Sequence, residues 1–184
     1  FYLLCRSQCM ILSGTQVEYE SVMEVARLML ASIRTAPKAR GLDTIYSCIV
    51  TGNEKQKISE WLKEQKERPK FFERDSICVE KAQALILVGV KGEPVDLNCG
   101  GCGFETCESF KKVQKKTGDY SGPNCIFKVL DLGIALGSAV KTASLLNVDN
   151  RIFYTAGTAA KALGFLSEAD IIIGIPLVLA GKSP

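Results

Sequence analysis

Three cysteines fall within nine residues, and no other stretch limits the chain's possible folds so tightly. Residues 98–107 read NCGGCGFETC, a Cys-x2-Cys-x4-Cys pattern, and the next cysteine, Cys125, follows after 17 further residues. Four soft thiolates in this order suit zinc or an iron–sulfur cluster. Gly100, Gly101 and Gly103 let the backbone wrap tightly and aim its N–H groups inward, which suits an anionic cluster whose sulfurs need hydrogen bonds. Four-cysteine zinc sites typically show two Cys-x2-Cys knuckles. Only one is present, and the third and fourth cysteines stand apart. The pattern favours a cluster, with a structural four-cysteine zinc site as the alternative.

The chain of 184 residues holds eight cysteines and no histidine. Without histidine there is no Ser-His-Asp triad, no Cys-His nucleophile pair and no histidine-based metal site. General acid–base work would fall to Asp, Glu, Lys, Tyr or Cys. The eight cysteines are unevenly spread, and a chain of this length buries roughly 70% of its unfolded surface without disulfide staples. Cys48 and Cys78 lie in or beside apolar segments and read as small buried hydrophobes. A cytosolic, reducing compartment fits this pattern better than a secreted one. The net charge of +3 is too small to imply a nucleic-acid partner, and no apolar run approaches the ~20 residues a membrane span needs. Residues 1–9, with Cys5 and Cys9, read as an upstream extension ahead of Met10, leaving 10–184 as a single domain.

Along the chain, Thr15 with Glu18 and Ser21 with Glu24 form capping-box patterns. Val22, Val25, Met29 and Ile33 recur at helical spacing, predicting an amphipathic helix to about Ile33. Pro37 sets its end near Ala36, and residues 35–41 form a basic loop. Residues 44–51 read as a buried strand closed by Gly52-Asn53. Residues 54–68 form a charged helix with a stripe of Ile58, Trp61 and Leu62, stopped by Pro69. The all-apolar run 84–90 predicts a central strand.

Within the cysteine segment a helix is expected from near Thr106 to just before Gly118. Glu105 and Glu108 stand at its start, and Lys111, Lys112, Lys115 and Lys116 toward its end, complementing the helix dipole. That basic face is a candidate dock for an acidic electron carrier, with a simply solvated surface as the alternative. Residues 127–146 predict a long helix, apolar nearly all round and therefore buried, with Gly133 and Gly137 permitting close approach of another backbone. Residues 151–155 and 171–179 read as strands with a short helix, 158–163, between them. Asp149-Asn150-Arg151 reads as a turn that also suits the wall of a pocket at the end of the sheet. The class is α/β (α+β), helices packed on one sheet.

The cysteine segment resembles the small ferredoxin-type domain of several anaerobic redox enzymes, which binds a 4Fe-4S cluster. That resemblance implies Cys99, Cys102, Cys107 and Cys125 as ligands. Ile126 stands where that domain often has proline. From Met10 onward the chain resembles a family of prokaryotic proteins that contain a ferredoxin domain. The strings that carry this are RTAPKARGLDTI (34–45), LNCGGCGFETC (97–107), DLGIALGSAV (131–140), VDNRIFYTAG (148–157), and GIPL with the GKSP end (174–184). More remotely the frame is similar to flavin-dependent nitroreductases. Ala36-Pro37 begins the loop, a strand follows, and Asp131-Leu132-Gly133 opens the buried helix. Gly41 and Asp43 stand where those enzymes have the Asn and Gln that help hold flavin.

This resemblance implies a nitroreductase-like sheet flanked by helices, the cysteine segment (96–126) inserted into it, and a homodimer. The basic residues Arg34, Lys38 and Arg40 are candidates for gripping an anionic group such as a phosphate; a solvated surface loop, or ion pairs with neighbouring carboxylates, is the alternative. The functional expectation is a cytosolic redox protein passing electrons through one 4Fe-4S cluster, extended to a flavin or small substrate in the same fold. The competing expectation is a non-enzymatic domain with structural zinc.

Overall fold

The computed structural model describes residues 11–181. The expected extension, with Cys5 and Cys9, and the GKSP end from Lys182 onward lie outside the described residues.

The central strand is where the apolar run predicts it. Strand β2, Ala84–Val90, has all seven residues buried. It pairs antiparallel with β1, Ile45–Val50, on one side and with β6, Ile171–Val178, on the other. A two-residue strand β5, Asp149–Asn150, completes the order β1-β2-β6-β5. Alternation along β2 divides the interior in two. Ala84, Ile86, Val88 and Val90 face one core, and Leu85 and Leu87 face the other. Each fully buried Leu, Ile or Val of these layers contributes roughly 1.5–3 kcal/mol relative to exposure.

The first core is covered by α1, Gly14–Thr35, and α5, Ile126–Leu145. Helix α1 buries Val22, Val25, Ala26, Met29 and Ile33, the predicted stripe with Ala26 added. Its hydrogen bonding is already running at Val17, whose N–H donates to the Ser13 carbonyl. The boxes at Thr15 and Ser21 therefore lie inside the helix rather than at its start.

The second core is covered by α2, Gly52–Glu64, α3, Phe71–Lys81, and α6, Tyr154–Ala162. Helix α2 ends at Glu64, well before Pro69. Leu62 is its last buried apolar residue, and residues 63–70 offer nothing further to bury. Helix α3 is absent from the sequence reading. Its buried face is Phe72, Asp75, Ser76 and Val79, half polar, so hydrophobic periodicity does not reveal it. Buried Lys55 donates to the carbonyls of Val79 and Glu80 at the last turn of α3, at 2.8 and 2.7 Å, tying the two helices together. Cys48 and Cys78 are half-buried and pack against this core. Burial pushes the Cys48 thiol up.

Two further expectations are corrected. Residues 151–155 are not a strand: only Phe153 bridges to Gly174, and Tyr154 already begins α6. The small residues Ala156, Gly157, Ala159 and Ala160 explain why, since they let α6 lie flat on β6. Helix α5 is not buried all round. It buries Leu132, Ala135, Leu136, Ala139 and Ala143, while Leu130 is 53% and Ile134 45% exposed. Nothing lies within 4 Å of a Cβ built on Gly133 or Gly137. Those glycines meet no other backbone among the described residues.

Candidate functional site

The cysteine segment leaves the sheet after Val90 and returns at Ile126, and its two ends are hydrogen-bonded together. The Cys125 N–H donates to the Gly92 carbonyl at 2.9 Å. Asp170, just before β6, grips both ends: its Oδ2 accepts from the Gly92 N–H at 2.7 Å and from the Lys115 ammonium. Its backbone carbonyl accepts from the Ser121 N–H at 2.8 Å. Sequence reasoning missed Asp170, which lies 78 residues from Gly92.

Inside the segment the chain coils tightly. Asp96, Asn98, Gly100 and Gly103 all have positive φ, and the Gly103 N–H closes a turn onto the Gly100 carbonyl at 2.9 Å. The Asn98 side chain accepts from the Cys107 N–H at 2.8 Å, bringing the two ends of the NCGGCGFETC stretch together. Thr106 caps α4, Cys107–Lys111, through a capping box with Ser109. Phe104 and Phe110 meet edge to face at 5.2 Å.

This helix is only five residues long, not the expected run to Gly118. The lysine-rich stretch after it has no apolar stripe to bury. The chain instead forms a small hairpin of β3, Lys116–Thr117, and β4, Ser121–Gly122, with Gly118 in its turn rather than capping a helix. The expected basic face is thereby divided. Lys111 pairs with Asp96 at 2.7 Å and Lys115 with Asp170, leaving Lys112 and Lys116 exposed.

Cys107 and Cys125 are buried, Cys102 is half-buried and Cys99 is exposed. Cys125 is the N-cap residue of α5. Gly101 lies against the start of that helix: a Cβ built on it would sit 3.0 Å from Ile126 Cγ2 and 3.6 Å from Cys99 Sγ. The Cys-x2-Cys loop therefore packs on the residue next to Cys125. Among the described residues, no three Cys, Asp or Glu side chains form a ready-made metal site. Beside Cys125, Asn124 donates to the Ser121 carbonyl at 2.6 Å, while its buried Oδ1 has no hydrogen-bond partner among the described residues.

The basic loop is engaged elsewhere. Arg34 pairs with Asp43. Lys38 donates to the Ile33 and Arg34 carbonyls at the end of α1, each at 2.7 Å. Arg40 donates to the Val95 carbonyl at 2.8 Å. The geometry realised is that of internal capping and ion pairing. Beneath the loop, Asp131 accepts from the Ala39 N–H at 2.9 Å and from Lys128 at 3.1 Å, and Lys128 also donates to the Leu42 carbonyl. Asp131 lies in the second turn of α5 rather than at its opening.

A second polar node ties the hairpin to the other side of the sheet. Arg68 makes a two-pronged contact to Asp119, both bonds 2.8 Å, and the Tyr154 hydroxyl donates to the same carboxylate at 2.7 Å. The Arg68 hydrogen bonds hold the Asp119 carboxyl below its usual range, and the Asp119 hydrogen bond raises the Tyr154 phenol. Tyr120 stacks edge to face on Tyr154 at 6.0 Å, and burial raises its phenol well above the usual range. Asp149 and Asn150, read as part of a turn, instead form the edge strand β5, and Asn150 and Arg151 line two open cavities of about 610 and 430 Å³.

The family described as "uncharacterized protein containing a ferredoxin domain (DUF2148)" matches residues 121–184. A protein of Archaeoglobus fulgidus is 47% identical over 177 residues, covering 95% of this chain and 96% of that protein. Among solved structures, a nitroreductase from Saccharomyces cerevisiae superposes with a TM-score of 0.60 at 10% identity, covering 86% of this chain and 82% of that one. A nitroreductase with bound FMN from Desulfitobacterium hafniense gives 0.53 at 15% identity, covering 95% and 82%. The fold is nitroreductase-like, with helices on both faces of an antiparallel sheet.

Proposed function

Because the chain belongs to the family of proteins that contain a ferredoxin domain, we propose that it is a redox protein in which Cys99, Cys102, Cys107 and Cys125 hold one 4Fe-4S cluster. The observation that carries this reading is the seating of Gly101 between Cys99 and Ile126. It sets the Cys-x2-Cys loop beside the helix start that bears the distant fourth thiol. The donor set fits, since four thiols are the usual ligands of such a cluster. When bound, the cluster would supply one-electron storage and transfer.

The chain's own residues would do the rest. Asn98 and the Thr106 cap hold Cys107, Asp170 holds both ends of the segment, and the N-terminal pole of α5 favours the cluster's negative charge. A reducing compartment would keep the thiols free for iron. Lys112 and Lys116, untied to any carboxylate among the described residues, would meet an acidic electron carrier. Nothing in the basic loop favours a flavin phosphate, because Arg34, Lys38 and Arg40 already have partners. The redox role therefore rests on the cysteines.

Protein prepared without air is expected to be brown and to bleach reversibly with dithionite. A colourless protein whose spectrum dithionite leaves unchanged would instead support the structural zinc reading.

We further propose a homodimer formed through the exposed stripe of α5, in which Leu130 and Ile134 flank Gly133 and Gly137. An exposed apolar stripe of this kind marks a contact surface, and a two-fold axis lets it meet its own copy. Light scattering should give twice the chain mass, and Leu130→Glu should give the single chain mass with its helical signal retained. A wild-type chain that scatters as a monomer would reject the dimer.

A further inference from the structure

We propose that the larger cavity, between α3, β5 and the start of α6, binds a small aromatic monophosphate. Its walls include Arg74, Arg151, Phe71, Ile152, Tyr154 and Thr155, and its volume is about 610 Å³. Asp75, also in the wall, is buried and fully engaged. Its Oδ1 accepts from Nε and Nη2 of Arg74 at 2.9 and 2.7 Å, and its Oδ2 accepts from the Thr155 hydroxyl at 2.7 Å. That arrangement fixes the Arg74 guanidinium while leaving its side chain 61% exposed.

Arg74 Nη1 and the whole of Arg151 make no hydrogen bond or ion pair among the described residues. Two guanidiniums face one neutralised carboxylate, so the cavity carries net positive charge. Tyr154 and Thr155, which line the cavity, stand in the first turn of α6, where backbone N–H groups lack intrahelical acceptors. A phosphate monoester offers three terminal oxygens and a larger negative charge to these donors, where a carboxylate offers two oxygens and one charge. Phe71 and Ile152, 38% and 48% exposed, supply the apolar walls for a flat ring.

The assignment does not depend on the cluster, and its test is one of binding alone. Titration calorimetry on the full chain uses phenyl phosphate as probe, with phenol, benzoate and inorganic phosphate as comparisons. Phenyl phosphate should bind best of the four. Arg151→Ala should weaken it by about tenfold or more, the loss of one charge-assisted contact. Arg151→Lys should fall between the two. Arg151 is exposed and makes no internal bond, so its replacement leaves the fold intact. No heat with phenyl phosphate, equal binding by Arg151→Ala, or tighter binding of any of the other three probes would overturn the proposal.

Discussion

Replacing Gly157 by alanine should cripple folding. A Cβ at this position would lie 1.7 Å from the carbonyl oxygen of Ile172 and 2.3 Å from its carbon. Both atoms are backbone, and the strand that carries them is held in register by the pairing of Ile172 with Gly89 in β2. No side chain can rotate away, so α6 must lift off the sheet and take Ala156, Ala159 and Ala160 with it. Overpacking costs typically 1–3 kcal/mol, and against fixed backbone about 3 kcal/mol or more is expected. Domains of this size lose ~2–4 °C of melting temperature per kcal/mol, so the melting point should fall by about 10 °C, or the protein should be recovered insoluble. Gly14→Ala, where nothing lies within 4 Å of the new carbon, should stay within about 0.5 kcal/mol of the parent. Thermal denaturation followed by circular dichroism separates the two. Equal melting points would refute the close approach of α6 to β6.

Asp131→Ala should do comparable damage by a different route. Lys128 is 1% exposed, and among the described residues Asp131 is its only carboxylate partner. Removing that carboxylate strands an ammonium in the core with the Leu42 carbonyl alone, and takes the acceptor from the Ala39 N–H. Breaking one partner of a buried pair costs about 3–5 kcal/mol. The double variant Lys128→Met with Asp131→Leu removes both charges and should recover most of that loss, since an apolar replacement of similar volume is often neutral. Denaturant midpoints of the single and double variants decide it. A double variant no more stable than Asp131→Ala would show that the loop's anchoring, rather than the charge pair, carries the stability.

What the sequence revealed follows from how each element is stabilised. The run 84–90 and the stripe of α1 were legible because their burial is apolar and periodic. Helix α3 was hidden because two of its buried positions are Asp75 and Ser76. Asp75 is satisfied by Arg74 and by Thr155 from α6, and the Ser76 carbonyl accepts from Ser59 on α2. Such polar pairing leaves no mark in hydrophobic periodicity.

Residues 151–155 misled for the opposite reason: Ile152, Phe153 and Thr155 have strand propensity, but the small residues after them dock a helix onto β6. In α5 an apolar surface read as burial leaves Leu130 and Ile134 outside the core, because composition does not separate a core face from a contact face. Of the candidate site, the four thiols and the coiling of their loop were visible in local spacing. Asp170, which clasps the loop's ends, was not, because its role arises only when the sheet closes.

The reading stands or falls on what the four thiols bind. Iron, acid-labile sulfide and zinc should be measured together on protein purified without air. About four iron and four sulfide per chain is the predicted result. One zinc per chain with neither iron nor sulfide would contradict it.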